Sequence, residues 1–258
     1  MNEYKIIDFH THPFLEEKEN ICSHKNNVKM DLESTLKLFD SFGVEKFCGS
    51  VLNPKGYHGN WEDVQALNDS ALKIAKKTDR YIPGIHVHPK FVKESIAEIE
   101  KSYKLGVRLI GELCPYMQDW NDYSDSRFYE ILECAEHYDM LLSIHSMGED
   151  QMDAMVKRFP KLTIVAAHPG EYISFGRHLD RMNLSENYYL DLSGYGIFRF
   201  GMLRHAIDEF GKERFLFGSD YPTCNFAMYV GGVALDDTVS ETEKKAIFYE
   251  NAKRLLNL

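Results

Sequence analysis

Two histidines, His10 and His12, follow the apolar run Tyr4 to Phe9 and are the first residues of the chain with the chemistry of a metal site. Side chains alternate between the two faces of a strand, so histidines two residues apart leave the same face at its carboxyl end. Imidazole is a common ligand for catalytic zinc and related metals. The pair therefore predicts part of a metal site, and other segments must supply the remaining ligands.

The segments that must position these histidines alternate between two patterns. Short apolar or β-branched runs predict strands, and the stretches between them carry apolar residues at spacings of three and four, which is typical of helices. The predicted strands are Tyr4 to Phe9, Val44 to Leu52, Tyr81 to Val87, Val107 to Leu113, Met140 to Ile144, Leu162 to Ala167, Tyr188 to Leu192 and Arg214 to Ser219. The predicted helices include Asp31 to Phe42, Glu62 to Lys77, Lys90 to Lys104, Ser126 to Tyr138 and Asp150 to Phe159. Eight such units predict a (β/α)8 TIM barrel of the α/β class. Since no linker-like tract divides the chain, we expect one domain over residues 1–258.

Polar residues stand where these predicted strands end. In a βα barrel the chemistry lies at the carboxyl ends of the strands. The candidate residues there are His10 and His12 on strand 1, Glu112 on strand 4, His145 on strand 5, His168 on strand 6 and Asp220 on strand 8. A single histidine at a strand end is more often a structural residue than a ligand. Their joint placement at one mouth of the barrel favours a shared metal site.

Strand alternation predicts which side chains accompany them into the barrel. Counting back by twos from His145, His168 and Asp220 gives inward positions for Leu141, Ile164 and Leu216. The same counting on strands 1 and 4 turns Asp8 and Arg108 inward. Burying either charge alone is costly, so we expect the two to pair or to find other charged partners. A bulge in one strand would instead leave Arg108 outside.

The composition of the chain favours some classes of binding partner over others. The formal net charge is -10, from 40 acidic and 30 basic residues, which disfavours a nucleic acid partner and favours a small-molecule substrate. The sequence contains neither a signal-peptide pattern nor an apolar run of membrane length, so we expect a cytoplasmic protein without a membrane partner. The five cysteines are odd in number and lack CxxC spacing, which predicts neither a disulfide framework nor a thiolate zinc site. The sequence permits a homo-oligomer without indicating one.

Four motifs carry a resemblance to a known family. The segments DFHTHP at 8–13, IH at 144–145, AHPG at 167–170 and LFGSDYP at 216–222 occur in order at predicted strands 1, 5, 6 and 8. The chain thereby resembles the amidohydrolase superfamily, in particular the branch that includes aminocarboxymuconate-semialdehyde decarboxylase. The closing segment ENAKRLL at 250–256 is similar to the C-terminal helix of that branch.

The resemblance implies a metal-dependent hydrolase type of barrel that binds a divalent ion, usually zinc. The matching ligands are His10, His12, His145 and Asp220. In the family, the position of His168 either assists catalysis beside one metal ion or binds a second. Glu112 lies where binuclear members carry a bridging ligand, and its alternative is a supporting acid or a substrate contact. We therefore expect one or two divalent ions.

Three functions are consistent with this site. The leading hypothesis is hydrolysis of a small ester, lactone or amide by a metal-activated water, with Asp220 as general base and acid and His168 stabilising the oxyanion. The first alternative is non-oxidative decarboxylation of a small unsaturated or aromatic carboxylic acid, with Arg177 or Arg199 as candidate partners of the acid. The second alternative is a metal-binding barrel without catalysis.

Residues on the predicted loops provide candidates for substrate binding. His88, Tyr116 and Tyr221 follow strands 3, 4 and 8 and are predicted substrate contacts. His86 repeats the histidine spacing at strand 3, but we expect it to be structural. Cys114 and Cys224 follow strands 4 and 8 without the sequence signature of an activated nucleophile.

Overall fold

The computed structural model describes residues 4–22, 30–52, 57–196 and 199–258. Its centre is a sheet of eight parallel strands in which each strand pairs with the next along the chain. The strands are β1 (Ile6–Asp8), β2 (Val44–Ser50), β3 (Tyr81–Ile85), β4 (Leu109–Leu113), β5 (Leu141–His145), β6 (Ile164–Ala167), β7 (Tyr188–Asp191) and β8 (Phe215–Leu216). The Phe9 amide donates to the Phe217 carbonyl at 2.9 Å, and the Asp220 amide donates to the His10 carbonyl at 2.9 Å. These bonds join the last strand to the first, which confirms the predicted TIM barrel.

Helices cover the outside of this barrel. They are α1 (Leu32–Phe42), α2 (Trp61–Ala75), α3 (Val92–Lys104), α4 (Ser126–His137), α5 (Glu149–Arg158), α6 (Tyr172–Leu184), α7 (Met202–Phe210), α8 (Phe226–Ala234), α9 (Glu241–Lys245) and α10 (Asn251–Leu255). Local sequence fixes several of their first residues. Asp31 accepts a hydrogen bond from the Ser34 amide and Asn60 accepts one from the Asp63 amide, so α1 and α2 begin just after a capping side chain. The predicted helices agree with these bounds to within a few residues. In the described segments no helix has both the length and the apolar character needed to span a bilayer.

Two apolar clusters pack against the sheet, one inside the barrel and one between the strands and the helices. The inner cluster takes one residue from every strand together with residues of the C-terminal segment. The strand residues are Ile7, Cys48, Ile82, Leu109, Leu141, Val165, Tyr189 and Leu216. The outer cluster joins the opposite strand faces to the helices. Apolar area removed from water is the main source of stability for such a two-layer barrel.

The predicted alternation holds on β5 and β8 but not on β6. Leu141 and Leu216 belong to the inner cluster as expected, whereas Ile164 lies in the outer cluster and Val165 takes the inner position. His168 nevertheless reaches the inside because its backbone has a φ of 65°, which turns the chain after the end of the strand. The prediction for Ile164 was wrong because strict alternation does not continue from Ala167, the last residue of β6, to His168.

The predicted pairing of Asp8 with Arg108 is also wrong. The Arg108 guanidinium lies over the Tyr103 ring, 3.8 Å from its centre, and donates to the Tyr103 carbonyl at 2.8 Å, outside the barrel. Leu109 takes the inner position, and the register of β4 shifts between Ile110 and Leu113. Gly111 lies in this irregular stretch with a φ of 93°, which a residue with a side chain rarely adopts. The irregularity brings Glu112 into the barrel mouth while Arg108 stays outside.

Asp8 is buried in the same region, where hydroxyl and amide groups donate hydrogen bonds to it. It accepts hydrogen bonds from the Ser219 hydroxyl at 2.5 Å, the Ser219 amide at 3.0 Å and the His10 amide at 3.1 Å. Burial raises the pKa of Asp8 to about 7, against the opposing effect of these hydrogen bonds. Asp8 thus ties the end of β1 to the segment after β8, close to the candidate site.

Candidate metal centre

Three side chains from β1 and β4 form the first group of possible metal ligands, hereafter the first triad. The Nε2 atoms of His10 and His12 lie 3.2 Å apart, and each lies 3.1 Å from Oε2 of Glu112. Oδ1 of Asp220 is 3.7 Å from the His10 nitrogen and 3.5 Å from the His12 nitrogen. Two imidazole nitrogens and two carboxylate oxygens thus converge on a space that a single ion could occupy.

Glu112, His145 and His168 form a second group, hereafter the second triad. Oε1 of Glu112 lies 3.2 Å from Nδ1 of His145 and 3.5 Å from Nε2 of His168. The two histidine nitrogens are 3.2 Å apart. Glu112 therefore belongs to both triads and presents a different oxygen to each. Five of the six predicted ligands form these two adjoining groups, and the sixth, Asp220, lies beside the first triad.

Electrostatics explains how so many polar groups remain together in a buried place. Burial raises the pKa of Glu112, but His10 and hydrogen bonds from His12 and His145 outweigh it and hold that pKa well below its usual value. For His10, burial lowers the pKa, but Glu112 and Asp191 outweigh it and raise the pKa well above its usual value. The cluster thus favours an ionised carboxylate beside positive charge. A divalent cation would be stabilised by the same carboxylate charges.

Residues behind the first triad fix which ring nitrogens face it. Nδ1 of His12 donates to the Ser50 carbonyl at 2.9 Å, so its Nε2 is free to bind a metal. Nδ1 of His10 lies 3.1 Å from Oδ2 of Asp191, on β7. Ser193 follows the same strand, and its hydroxyl lies 2.9 Å from the same nitrogen. The donor atoms, imidazole nitrogen and carboxylate oxygen, suit zinc or manganese.

Asp191 and Ser193 are site residues that the sequence analysis missed. Both follow the pattern that identified the others, because they stand at the carboxyl end of a predicted strand, Tyr188 to Leu192. An aspartate and a serine at such a position are common in proteins and resemble no metal motif. Their significance becomes visible only when His10 is found beside them.

A cavity of about 570 Å³ opens onto the second triad and Asp220 at the carboxyl end of the barrel. Its lining is rich in tyrosine and includes Tyr116, Glu149, Tyr195 and Tyr229 beside the candidate ligands His145, His168 and Asp220. The Tyr116 ring meets the His145 ring edge to face, with 5.0 Å between their centres. Tyr116 therefore lies where a substrate contact was predicted.

The other two predicted substrate contacts lie elsewhere, outside the cavity lining that the structure describes. His88 is buried: its Nε2 donates to the Gln118 carbonyl at 2.8 Å, and its Nδ1 accepts from the Lys90 amide at 3.0 Å. The Tyr221 hydroxyl lies 3.1 Å from that of Thr35, within the helix layer. Both side chains are engaged in structural contacts, which does not support their predicted role.

His86 has the structural environment that was expected for it. Its Nε2 donates to the Val51 carbonyl at 2.8 Å, and its Nδ1 accepts from the Gln118 amide group at 2.8 Å. Burial lowers the pKa of His86 to about 4, so it is neutral at pH 7. The second histidine pair, His86 and His88, therefore differs from the first: the nitrogens of both rings form hydrogen bonds with backbone groups or with the Gln118 side chain.

The arginines proposed as carboxylate partners are bound to acidic side chains. Arg177 lies 2.8 Å from Asp150 and 2.7 Å from Asp153. Arg199 lies 2.9 Å from Glu171 at the surface. Within the described segments, neither arginine lines the cavity at the triads. A carboxylate bound there would face the centre itself rather than a guanidinium.

The amidohydrolase family model matches residues 7–258 of the chain, from the first strand to the C-terminal residue. The chain belongs to the amidohydrolase superfamily. Within it, the chain falls in the branch related to aminocarboxymuconate-semialdehyde decarboxylase, a branch of non-oxidative decarboxylases. Family membership identifies the chain as an enzyme of this superfamily, which argues against the predicted alternative of a barrel without catalysis.

The relatives of this amidohydrolase include three decarboxylases and one probable hydrolase. Gamma-resorcylate decarboxylase from Polaromonas sp. (strain JS666) is 27% identical over 161 residues, which cover 52% of this chain and 47% of that protein. The chain thus aligns with about half the length of this curated relative. The structure of 2,6-dihydroxybenzoate decarboxylase from Rhizobium is similar with a TM-score of 0.77, 17% identity and coverage of 98% of this chain and 99% of that one.

Two further solved structures are similar to this barrel, and one of them contains a metal ion and an aromatic acid. A 5-carboxyvanillate decarboxylase from Novosphingobium aromaticivorans, complexed with manganese and 4-hydroxy-3-methoxy-5-nitrobenzoic acid, has a TM-score of 0.75 at 18% identity, covering 99% and 97% of the two chains. A probable 2-pyrone-4,6-dicarboxylic acid hydrolase from Acinetobacter baumannii has a TM-score of 0.70 at 14% identity, covering 98% and 99%. At these identities the likeness shows the fold. Three of these four relatives are decarboxylases by name, which agrees better with the alternative of decarboxylation than with the hydrolysis that we placed first.

Proposed function

We propose that this amidohydrolase is a metal-dependent, non-oxidative decarboxylase of a small aromatic or unsaturated carboxylic acid. The observation that carries the proposal is the tyrosine-lined cavity whose wall includes Asp220 and the two histidines of the second triad, His145 and His168. Tyr116, Tyr195 and Tyr229 offer faces and edges of aromatic rings to a flat substrate. The decarboxylase relatives support the same reaction class.

The ligand set fits a divalent ion, zinc or manganese, held by His10, His12, Glu112, His145, His168 and Asp220 in one or two sites. Such an ion would neutralise the substrate carboxylate and polarise neighbouring oxygen atoms. This role explains how the cavity could accept an acid although Arg177 and Arg199 are bound to acidic side chains at a distance from its lining.

Asp220 is the residue that we assign to proton transfer. It lines the cavity, and its φ of 55° turns it out of the line of β8 toward the substrate space. In the proposed reaction the bond between the ring carbon and the carboxylate breaks, its electron pair stays on the carbon, and carbon dioxide leaves. Asp220 delivers a proton to that carbon and regains one from solvent through the cavity, so atoms and charge balance.

Hydrolysis of a neutral ester, lactone or amide is the second candidate, and Glu112 is the observation that favours it. A carboxylate that serves both triads could help to hold two ions, and divalent ions would supply an activated water at neutral pH. Glu149 also lines the cavity and adds negative charge there, which opposes an acidic substrate. Asp220 would then take the proton of the attacking water and pass it to the leaving group.

One experiment separates the two reactions. The manganese-reconstituted protein is incubated with a panel of hydroxybenzoates, unsaturated acids, lactones and esters, and products are followed by mass. Loss of carbon dioxide from an aromatic or unsaturated acid supports the proposal, with manganese-free protein as the control. Gain of water by a lactone or ester, without carbon dioxide release from any acid, would favour hydrolysis instead.

A further inference from the structure

Strand β7 and the segment just after it contribute two polar side chains, Asp191 and Ser193, to the rear of the two triads. We propose that Asp191 and Ser193 are positioning residues that orient one histidine of each triad and join the two halves of the metal centre from behind. The proposal rests on the metal centre that the proposed function uses, but not on which reaction that centre performs.

Asp191 acts on the first triad. It is fully buried, and its Oδ2 lies 3.1 Å from Nδ1 of His10. A carboxylate at that distance accepts the hydrogen on Nδ1, so Nε2 is the nitrogen that faces Glu112 and would bind an ion. The contact also fixes the plane of the ring. His10 can therefore bind an ion without a change of tautomer or of ring orientation.

Ser193 connects Asp191 to the second triad. Its hydroxyl donates a hydrogen bond to Oδ1 of Asp191 and lies 3.1 Å from Nδ1 of His168. Since the hydroxyl hydrogen is used on Asp191, the hydroxyl oxygen accepts from the His168 ring. His168 then carries its hydrogen on Nδ1 and turns Nε2 toward His145. The same hydroxyl lies 2.9 Å from Nδ1 of His10, so one serine contacts a histidine of each triad.

Two glycines show how closely the neighbouring backbone fits around this network. A Cβ atom at Gly218 would lie 2.9 Å from Oδ1 of Asp191 and 2.9 Å from Cβ of His10. A Cβ atom at Gly194, where φ is 61°, would lie 2.1 Å from Nδ1 of His168. Side chains at these positions would push the network out of place. The backbone just after β7 and just after β8 therefore packs directly against Asp191, His10 and His168 and restricts the positions of these side chains.

The network is the counterpart of Glu112 on the opposite side of the rings. Glu112 touches both triads where an ion would bind, whereas Asp191 and Ser193 touch the nitrogens that face away from it. Partners of this kind set ring orientation and ligand basicity, and their loss typically weakens metal affinity by about 10–100-fold. Because Ser193 is the described contact to Nδ1 of His168, its loss should weaken the second triad in particular. Loss of the Asp191 charge should weaken the first triad most.

The test is a manganese titration of metal-free protein, with free Mn²⁺ followed by electron paramagnetic resonance and no substrate present. Ser193→Ala and Asp191→Asn are compared with the natural protein and with Ser102→Ala. Ser102 is a buried serine on α3 whose hydroxyl has no hydrogen-bond partner among the described residues, so its removal matches the loss of volume alone. Circular dichroism and thermal unfolding establish that each variant is folded.

We expect Ser193→Ala and Asp191→Asn to weaken Mn²⁺ binding by about 10–100-fold, and Ser102→Ala to leave it unchanged. A changed Mn²⁺ spectrum in the bound state would show that ligand orientation has altered. Folded variants that bind Mn²⁺ as tightly as the natural protein, with the same spectrum, would overturn the proposal. Failure of the decarboxylation assay would not, because the titration measures the centre without its substrate.

Discussion

Oε1 of Glu112 lies 3.2 Å from Nδ1 of His145, while the other oxygen of the same carboxylate faces His10 and His12. One side chain on β4 thus connects ligands carried by β1 and β5. This arrangement depends on the irregular backbone at Gly111, which brings Glu112 into the barrel although its strand neighbour Ile110 faces the helices. The metal centre therefore depends on a local departure from regular strand geometry.

Replacing Glu112 by glutamine should disable both triads together. The glutamine amide keeps the size of the side chain but removes the negative charge that lies beside the two histidines of each triad. We expect bound manganese and catalytic turnover to fall by more than about 100-fold. Metal content by mass spectrometry and turnover under saturating metal are the measurements.

The matched control is Glu98→Gln. Glu98 is also buried and lies on α3 beside Lys101, at 3.1 Å, away from the cavity lining. Its variant should retain metal and activity. Retention of full metal and activity by Glu112→Gln would show that Glu112 is not a ligand.

Asp220→Asn tests the proposed proton transfer. Asparagine has almost the same shape but cannot exchange a proton in the same way, so turnover should fall by about 10²–10⁴-fold while the unfolding temperature changes little. Turnover and thermal unfolding are measured in parallel. Asp208→Asn on α7, where the carboxylate is exposed beside Arg204, serves as the control and should turn over normally. Turnover near the natural rate in Asp220→Asn would contradict the assignment.

Gly194→Ala tests the space behind His168. The added methyl group would lie 2.1 Å from Nδ1 of His168, and the φ of 61° opposes a side chain at this position. We expect a loss of metal affinity together with a lower unfolding temperature. Gly231→Ala on α8 is the control, because its methyl group meets nothing within 4 Å. That variant should be slightly more stable, by up to about 1 kcal/mol, since alanine favours a helix over glycine.

His178 gives a pH dependence of stability with a defined sign. Burial, followed by repulsion from Arg181, lowers the pKa of His178 from 6.5 to about 3. Between these values the unfolded chain binds a proton at this residue and the folded chain does not. The free energy of unfolding should therefore decrease as the pH falls from 6.5, by up to about 1.4 kcal/mol per pH unit from this one group.

The measurement is urea unfolding of the natural protein and His178→Asn between pH 7 and about pH 4. The variant should show a shallower pH dependence because it lacks the group that the unfolded chain protonates. His137→Asn, at an exposed position on α4, should keep the natural slope. Equal slopes for the natural protein and His178→Asn would contradict the account.

The sequence predicted the barrel and the residues of the two triads for one physical reason. Strand ends carry function in a βα barrel, and the triads use the residue types that bind metals. Simple alternation failed at Arg108 and Ile164 because it ignores register shifts and positive φ values after strand ends. Asp191 and Ser193 could not be predicted, because their role depends on which histidine lies beside them in the folded chain.

Loop residues were predicted less successfully than strand ends. Tyr116 lines the cavity, but Tyr221 turns toward Thr35 and His88 toward the Gln118 carbonyl. Sequence position after a strand tells which mouth of the barrel a residue is near. It does not tell whether the side chain faces the cavity or the layer between strands and helices.

The central claim is that the metal centre removes carbon dioxide from a small aromatic or unsaturated acid. Its most direct test incubates manganese-loaded protein with hydroxybenzoates and unsaturated acids in deuterated water and analyses the products by mass spectrometry. We predict release of carbon dioxide, with one deuterium on the carbon that carried the carboxylate, and product formation by Asp220→Asn that is slower by about 10²–10⁴-fold. Absence of carbon dioxide from every acid, with hydrolysis of a lactone or ester by the same preparation, would contradict it.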